Sequence, residues 1–504
     1  MLPTTRREFL GVTGAALAGL AVPAGLAQRA FASDEFASLD ATAIAELVRS
    51  RKASPLEIVE ATIARIEKLN PKINAVVTQT FQRAIDRAKG PLGEGPFVGV
   101  PYLLKDLTPN KGVRLTFGSN FFRDNVATFS TELVKRSEAS GLNIVGKTNT
   151  PEFGLVPITE PKLFGPTRNP WNLDLTAGGS SGGAAAAVAA GMVPMAHASD
   201  GGGSIRIPAS CCGVFGMKIS RGLNPDAPTP NPDGLSVQHC VSRSVRDSAR
   251  LLDVTRGPVA GDIWWAPPVE RPYAEEVTRE PKKLRIALLT KDLSGEPIHA
   301  DCQAAVEQTA KLCTELGHQV EEVALPIDGT AARDAFRMLW IGRVGSLIRT
   351  ATKTLGRMPD RDQFESWTWQ LNDINNTLTP ADARSASSLL LTAAYQIAQF
   401  MQTYDVILTA TLGTPPLRVG ELDLENQAAE ANAKIGRFVP YTWLFNATGQ
   451  PAMSVPLHWN AQGVPIGSHF VGRFADDGLL FQLAGQLERA RPWAGRLPGA
   501  SSGS

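Results

Sequence analysis

The chain has 504 residues, 43% of them hydrophobic and 20% charged, a balance ordinary for a soluble globular protein with a large buried core. Lysine and arginine number 50 against 49 aspartates and glutamates, a formal net charge of +1, so the charge gives no reason to expect nucleic acid or an anionic surface as partner. The body of the chain contains no run of about 20 apolar residues, so no internal membrane span is expected.

The N-terminus stands apart. Thr5-Arg6-Arg7-Glu8-Phe9-Leu10 precedes an Ala/Gly/Leu-rich run to Ala27 and an A-x-A pattern at Ala30-Phe31-Ala32. This resembles a twin-arginine export signal. Residues 1–32 are therefore expected to be a signal peptide and the product to be periplasmic or secreted, with residues 33–504 as the mature domain.

Ser54-Pro55-Leu56-Glu57 combines a capping box with proline at the first helical position. Val59, Ile63, Ile66 and Leu69 follow at helical spacing, and Asn70-Pro71 predicts the helix end. Phe97 to Leu104 is a near-continuous apolar run, as in a strand buried on both faces, and delivers Lys105-Asp106 at its end. Leu142 to Lys147 reads as another short strand.

Gly178 to Arg206 reads GGSSGGAAAAVAAGMVPMAHASDGGGSIR. Glycine lets main-chain N–H groups approach a reacting group closely. The first cluster runs into Ala184 to Ala190, so it is placed at a helix N-terminus. Met192 to Ala198 predicts a short strand ending at Asp200. Gly201, Gly202 and Gly203 then present successive N–H groups ahead of Ser204, the arrangement an oxyanion hole needs.

Further on, Leu284 to Leu289, a helix over Ala304 to Leu316 and Val320 to Val323 form a strand-helix-strand unit. Residues 330–400 read as helix-rich, and their aromatics, Phe336, Trp340, Phe364, Trp367 and Trp369, read as packing residues rather than a binding box. Asp405 to Thr411, Val455 to Leu457 and Ile466 to Val471 read as buried strands. The alternation predicts an α/β fold with a large mixed, mostly parallel sheet between helices. Cys211, Cys212, Cys240, Cys302 and Cys313 have no metal-ligand spacing and read as small buried apolar residues.

Three chemistries compete for the serines. Gly178-Gly179-Ser180-Ser181-Gly182 fits the G-x-S-x-G elbow of a Ser/His esterase, but that elbow needs a buried strand before it, and Asn169 to Ala177 is polar and proline-bearing. His458 and His469 are the candidate bases in that case. A phosphate loop lacks its G-K-[ST]. An exported solute-binding protein has no use for paired glycine-flanked serines beside a buried lysine.

Lys105 closing VPYLLKD, GGSSGG with Ser180, and DGGGSIRIP with Ser204 resemble the signature of the amidase signature family. The likeness extends through GKTNTPEF, NPWN, GMKIS and FNATGQPAMSVP, so it covers nearly the whole mature chain. It implies the amidase fold with a catalytic core about 90–250 and a substrate-shaping region about 330–400. It also implies amide hydrolysis with Ser204 as nucleophile, Ser180 on a cis peptide as bridging serine, and Lys105 as base. Gly201, Gly202, Gly203 and the Ser204 N–H match oxyanion positions; Ser181, Asp200 and Arg206 match supporting ones. No metal or cofactor is required. The implied partner is a small-molecule amide, and a homodimer is left open.

WTWQL and GDIWWAPP resemble the branch acting on 6-aminohexanoate oligoamides, with aryl amides, esters and carbamates as other substrate classes. The amidotransferase subunit that serves glutaminyl-tRNA is a further relative, which the export signal opposes. One departure is Gly201, where many family members carry a bulkier side chain. A loosened hole or a widened acyl site is the expectation there.

Overall fold

The computed structural model describes residues 35–229, 231–426 and 428–498. The segment read as an export signal lies outside them. No helix among the described residues is long and apolar enough to cross a membrane.

Eleven strands form one sheet. In chain order they are β1 (Val76–Gln79), β2 (Pro101–Lys105), β3 (Asn143–Thr148), β4 (Met195–Asp200), β5 (Phe215–Lys218), β6 (Val237–Ser242), β7 (Arg285–Leu288), β8 (Gln319–Glu322), β9 (Val406–Ala410), β10 (Ala452–Trp459) and β11 (Pro465–Val471). Across the sheet they run β1-β3-β2-β4-β6-β5-β10-β11-β9-β7-β8. Parallel pairing is confined to two flanks, β3-β2-β4 and β9-β7-β8. The middle of the sheet, from β4 through β9, pairs antiparallel. The sheet is thus mixed and belongs to the α/β class, as expected, but it is not mostly parallel, because antiparallel pairs fill its middle and its β1 edge; each parallel flank is built on a helical crossover, the connection that parallel neighbours require.

The helices that position the site are α1 (Pro55–Ile73), α2 (Gly182–Ala189), α3 (Arg206–Cys212), α4 (Ala300–Glu315), α5 (Gly329–Leu355), α6 (Ser366–Asn375), α7 (Pro380–Phe400) and α8 (Thr442–Ala447). α1 has the expected capping box, with Glu57 and Ser54 bonded reciprocally. It runs past Asn70-Pro71, where the sequence predicts its end, and stops at Asn74 in a left-handed conformation (φ 55°). The Asn70 side chain explains the overrun, since it receives the N–H groups of Ala75 and Val76 just beyond the helix and so closes the helix end.

The strand expected from Phe97 starts only at Pro101. Residues 96–99 form a turn, with Gly99 at φ +78°. β4 likewise starts at Met195, three residues later than the apolar run. Its end at Asp200 coincides with the predicted one.

Every residue of α2 is buried. Its run of alanines gives it no polar face, and such a helix must lie inside the protein; it packs against β2, β3, β4 and β6. The five cysteines are buried free thiols. α5 packs on α6 and α7, and α5 and α7 pack on α8, forming a helical wall whose outer side leaves Leu391 and Tyr395 exposed.

Candidate active site

β2 and β4 run side by side in parallel, so both deliver their C-terminal residues to one edge, the end of an α/β sheet where ligands are usually received. Lys105 is the last residue of β2 and is fully buried. Its Nζ lies 2.7 Å from Ser180 Oγ, 2.9 Å from Ser181 Oγ and 3.1 Å from Ser199 Oγ. Burial in this pocket pulls the lysine down to about 7, against the opposing field of Asp200. A neutral amine is therefore accessible near neutral pH.

The first glycine cluster stands at the N-terminus of α2, as its composition predicts, and its Gly179–Ser180 peptide is cis. No buried sheet strand leads into it: the preceding Asn172–Thr176 segment is mostly exposed and lies outside the eleven-stranded sheet, in a two-stranded ribbon with a bridge from Leu175 to Arg418. The G-x-S-x-G elbow is therefore not built. The Ser181 N–H donates to the Ser204 carbonyl oxygen at 3.3 Å, which ties the two serine segments together. Ser204 lies at the turn between β4 and α3 and is only 8% exposed.

Asp200 organises that turn. Its carboxylate accepts from Gly203 N at 2.7 Å and Ile205 N at 3.2 Å. It also takes two hydrogen bonds from Arg206, Nε and Nη2 each at 2.9 Å, and one from Asn446 Nδ2 at 2.9 Å. Burial alone would raise this carboxyl, but the Arg206 guanidinium outweighs it and holds Asp200 well below the usual carboxylate range. The ion pair is fully buried and is sustained because both partners have further hydrogen bonds. Arg206 also bonds Asn446 Oδ1 at 2.6 Å and His469 Nε2 at 3.0 Å.

This geometry corrects one expectation. The Gly203 N–H is taken by Asp200, so Gly203 drops out of the expected oxyanion donors. The N–H groups of Gly201, Gly202 and Ser204 have no acceptor within the described residues. Gly203 has a different duty: its φ is +133°, and a Cβ there would sit 2.3 Å from Thr442 Oγ1. Only glycine fits both the backbone and the space.

The two histidines weighed as bases are elsewhere engaged. His458 faces Gln308 (3.1 Å). His469 is buried between Arg206 and Thr409 Oγ1 (3.1 Å), and burial, reinforced by the Arg206 charge, keeps its imidazole neutral, well below the usual histidine range. Neither touches Ser180 or Ser204. His197 lies nearest the lysine, accepting its backbone N–H at 3.4 Å. Burial and then the Lys105 charge hold it at about 3.

Several contributors were not singled out from the sequence. Asn446 lies within FNATGQP, a stretch noticed only as part of a likeness. Ser199 directly precedes Asp200 and was hidden in an apolar run. The aromatics at 330–400 divide: Phe364, Trp367 and Trp369 are core, as expected, but Phe336 and Trp340 lie against the glycine turn. A Cβ on Gly201 would sit 3.1 Å from the Trp340 ring, and one on Gly202 3.3 Å from the Phe336 ring. The space left by Gly201 is thus filled from α5 rather than left open.

A buried lysine, two glycine-flanked serines and free main-chain donors thus meet at one parallel-strand edge of an α/β sheet. The chain matches the Amidase family over residues 57–481, and it belongs to that family, the amidase signature hydrolases of amide C–N bonds. It is 37% identical over 481 residues to the 6-aminohexanoate-cyclic-dimer hydrolase of Pseudomonas sp. (strain NK87), covering 91% of this chain and 96% of that one. Among solved structures it resembles 6-aminohexanoate cyclic dimer hydrolase complexed with substrate, with a TM-score of 0.87, 36% identity and coverage of 92% of this chain and 99% of that one. It also resembles a bacterial aryl acylamidase, with a TM-score of 0.82, 28% identity and coverage of 91% and 99%.

Proposed function

We propose that this amidohydrolase works through an acyl-enzyme on Ser204, with Ser180 as proton relay and Lys105 as base. The observation that carries this reading is the 2.7 Å contact between Nζ of the fully buried Lys105 and Oγ of the buried Ser180. A neutral lysine has two N–H bonds and one lone pair. Ser181 Oγ gives its own hydrogen to the Ser199 carbonyl oxygen at 3.2 Å, so it accepts from Nζ. Ser199 Oγ receives the second N–H, which leaves the lone pair for the Ser180 hydroxyl.

The reaction then balances as follows. Ser204 Oγ attacks the amide carbon while its proton passes to Ser180 Oγ and the Ser180 proton passes to Lys105 Nζ. The carbonyl oxygen becomes an anion stabilised by the N–H groups of Gly201, Gly202 and Ser204, where each such donor contributes about 10²–10³ in rate. The C–N bond breaks as the relay returns a proton to the departing nitrogen. Water, deprotonated by the same relay, releases the acid and restores Ser204.

The 6-aminohexanoate-type oligoamides are the favoured substrate class, supported by the likeness to the hydrolase of Pseudomonas sp. across nearly the full length of both chains. Aryl amides, esters and carbamates use the same acyl chemistry and form the comparison panel. A fluorophosphonate probe followed by peptide mapping tests the nucleophile: modification at Ser204 is expected, and modification at Ser180 or elsewhere would overturn the assignment. Export through the twin-arginine signal is part of the same proposal. Cell fractionation after Arg6→Lys with Arg7→Lys should trap the protein inside, and unchanged export would reject that signal.

A further inference from the structure

Gly201 and Gly203 stand two residues apart and are glycines for different reasons. At Gly203 the backbone itself demands glycine. Gly201 is not among the residues with positive φ, so its backbone would accept a side chain and only the surroundings object. Those surroundings are Trp340 Cζ3 at 3.1 Å and Ser236 Oγ at 2.8 Å from the position a Cβ would take.

Trp340 is held from several sides. Its ring stacks on Phe336 (centroids 5.8 Å apart, interplanar angle 21°), and its Nε1 donates to the Leu155 carbonyl at 3.3 Å. The Arg343 guanidinium lies 5.2 Å from the ring centroid. Arg343 is fixed in turn by Asp233, with Nη2 and Nε at 2.5 and 2.6 Å, and by Ser236 Oγ at 3.0 Å. A planar guanidinium locked in two hydrogen bonds to one carboxylate loses little further freedom when it also covers an aromatic face. The ring, partly buried, is therefore a fixed surface rather than a mobile cover.

We propose that Trp340 takes the place of the side chain Gly201 lacks and, with Phe336, sets the width of the acyl site, admitting amides of unbranched acids and excluding those branched beside the carbonyl. The proposal rests on the oxyanion reading above. A carbonyl oxygen about 2.9 Å from the Gly201 and Gly202 N–H groups places the carbon beside the carbonyl next to the two glycines, whose Cα atoms these rings cover. An extra methyl group on that carbon would meet the indole, whereas a methylene chain would lie along it.

The test uses the p-nitroanilides of butanoic acid and 2,2-dimethylpropanoic acid with the full-length enzyme. Trp340→Ala should raise kcat/KM for the branched substrate relative to the linear one by at least about tenfold, the range expected for a methyl-sized change in a pocket. Gly201→Val should lose activity on both substrates by about a hundredfold. The double variant Gly201→Val/Trp340→Ala should recover at least about tenfold over Gly201→Val on the linear substrate, since one side chain then fills the space of the other.

An unchanged selectivity ratio in Trp340→Ala, full activity in Gly201→Val, or a double variant no better than Gly201→Val would each overturn the proposal. Trp340→Leu provides the same comparison if Trp340→Ala melts below the assay temperature. Peptide mapping after an acid quench separates the two layers of the argument. An acyl group on Ser204 with unchanged selectivity sinks this inference alone, whereas an acyl group elsewhere sinks the nucleophile assignment.

Discussion

The glycine-serine hub and the helical wall above it are built on opposite principles. The hub gathers Lys105, Ser180, Asp200, Ser204 and Arg206 almost without exposure to solvent, with Ser199 half-buried beside them, and short charge-assisted hydrogen bonds hold its Asp200–Arg206 turn. In the wall, α5 to α7 are held by side-chain packing, with large apolar residues such as Met358, Leu391 and Tyr395 left exposed. A substitution that strips a partner from the buried Asp200–Arg206 turn is not silent, because an unpaired buried polar group costs its full desolvation. A packed wall can exchange volume between neighbours. On the proposed mechanism, chemistry belongs to the hub and selectivity to the wall.

Breaking the hub at its centre should have the largest effect. Ser204→Ala is expected to lower kcat by roughly a million-fold, the scale of losing a serine nucleophile, with unchanged thermal melting; near-normal turnover would remove the acyl-enzyme from the account. Lys105→Ala should lower kcat/KM by about 10²–10⁴, the usual contribution of a general base. Replacing Asn446 probes the support rather than the chemistry. Asn446→Ala removes bonds to both Asp200 and Arg206, at about 1.5–3 kcal/mol for a bond to a charged group, so denaturant melts should show a loss of that size and activity should fall less than for Lys105→Ala.

The wall should give the smallest change. Arg343→Ala, by loosening Trp340, should raise KM no more than about tenfold, equivalent to about 1.4 kcal/mol, with little change in kcat; Arg343→Lys should recover part of that change. A kcat loss as large as that of a hub variant would erase the distinction between the two regions.

The two regions also differ in how far they could be read from sequence. Gly178 to Arg206 is contiguous, and local composition sufficed to place a helix at Gly182, a strand ending at Asp200 and a serine after three glycines. Even there, the partner of the Gly203 N–H depended on where the Asp200 carboxylate turns, which no local pattern records. The anchors Asn446 and His469 lie 240 and 263 residues beyond Arg206 and reach it only because β11 and α8 pack beside α3. The same long-range assembly inserts antiparallel β10 and β11 into the middle of the sheet, which the alternation of strands and helices could not reveal. Trp340 escaped for a related reason: along α5 it is one aromatic among several, and its distinction from Trp367 is only what it faces.

The central claim is that Lys105 works as an uncharged amine, and the pH dependence of kcat/KM tests it most directly. Protonation of Nζ removes the lone pair, so activity should be lost as pH falls through about 7 and should rise with a slope of one proton to a plateau above it. Lys218 is also held at about 7, by burial and then by the Arg206 charge. Among the described residues it bonds only the carbonyls of Ile219 and Gln450, so the limb should persist in Lys218→Met. A profile flat from pH 5 to 9, a limb near the ordinary lysine value of about 10.4, or a limb that disappears with Lys218 would contradict the assignment of Lys105 as the base.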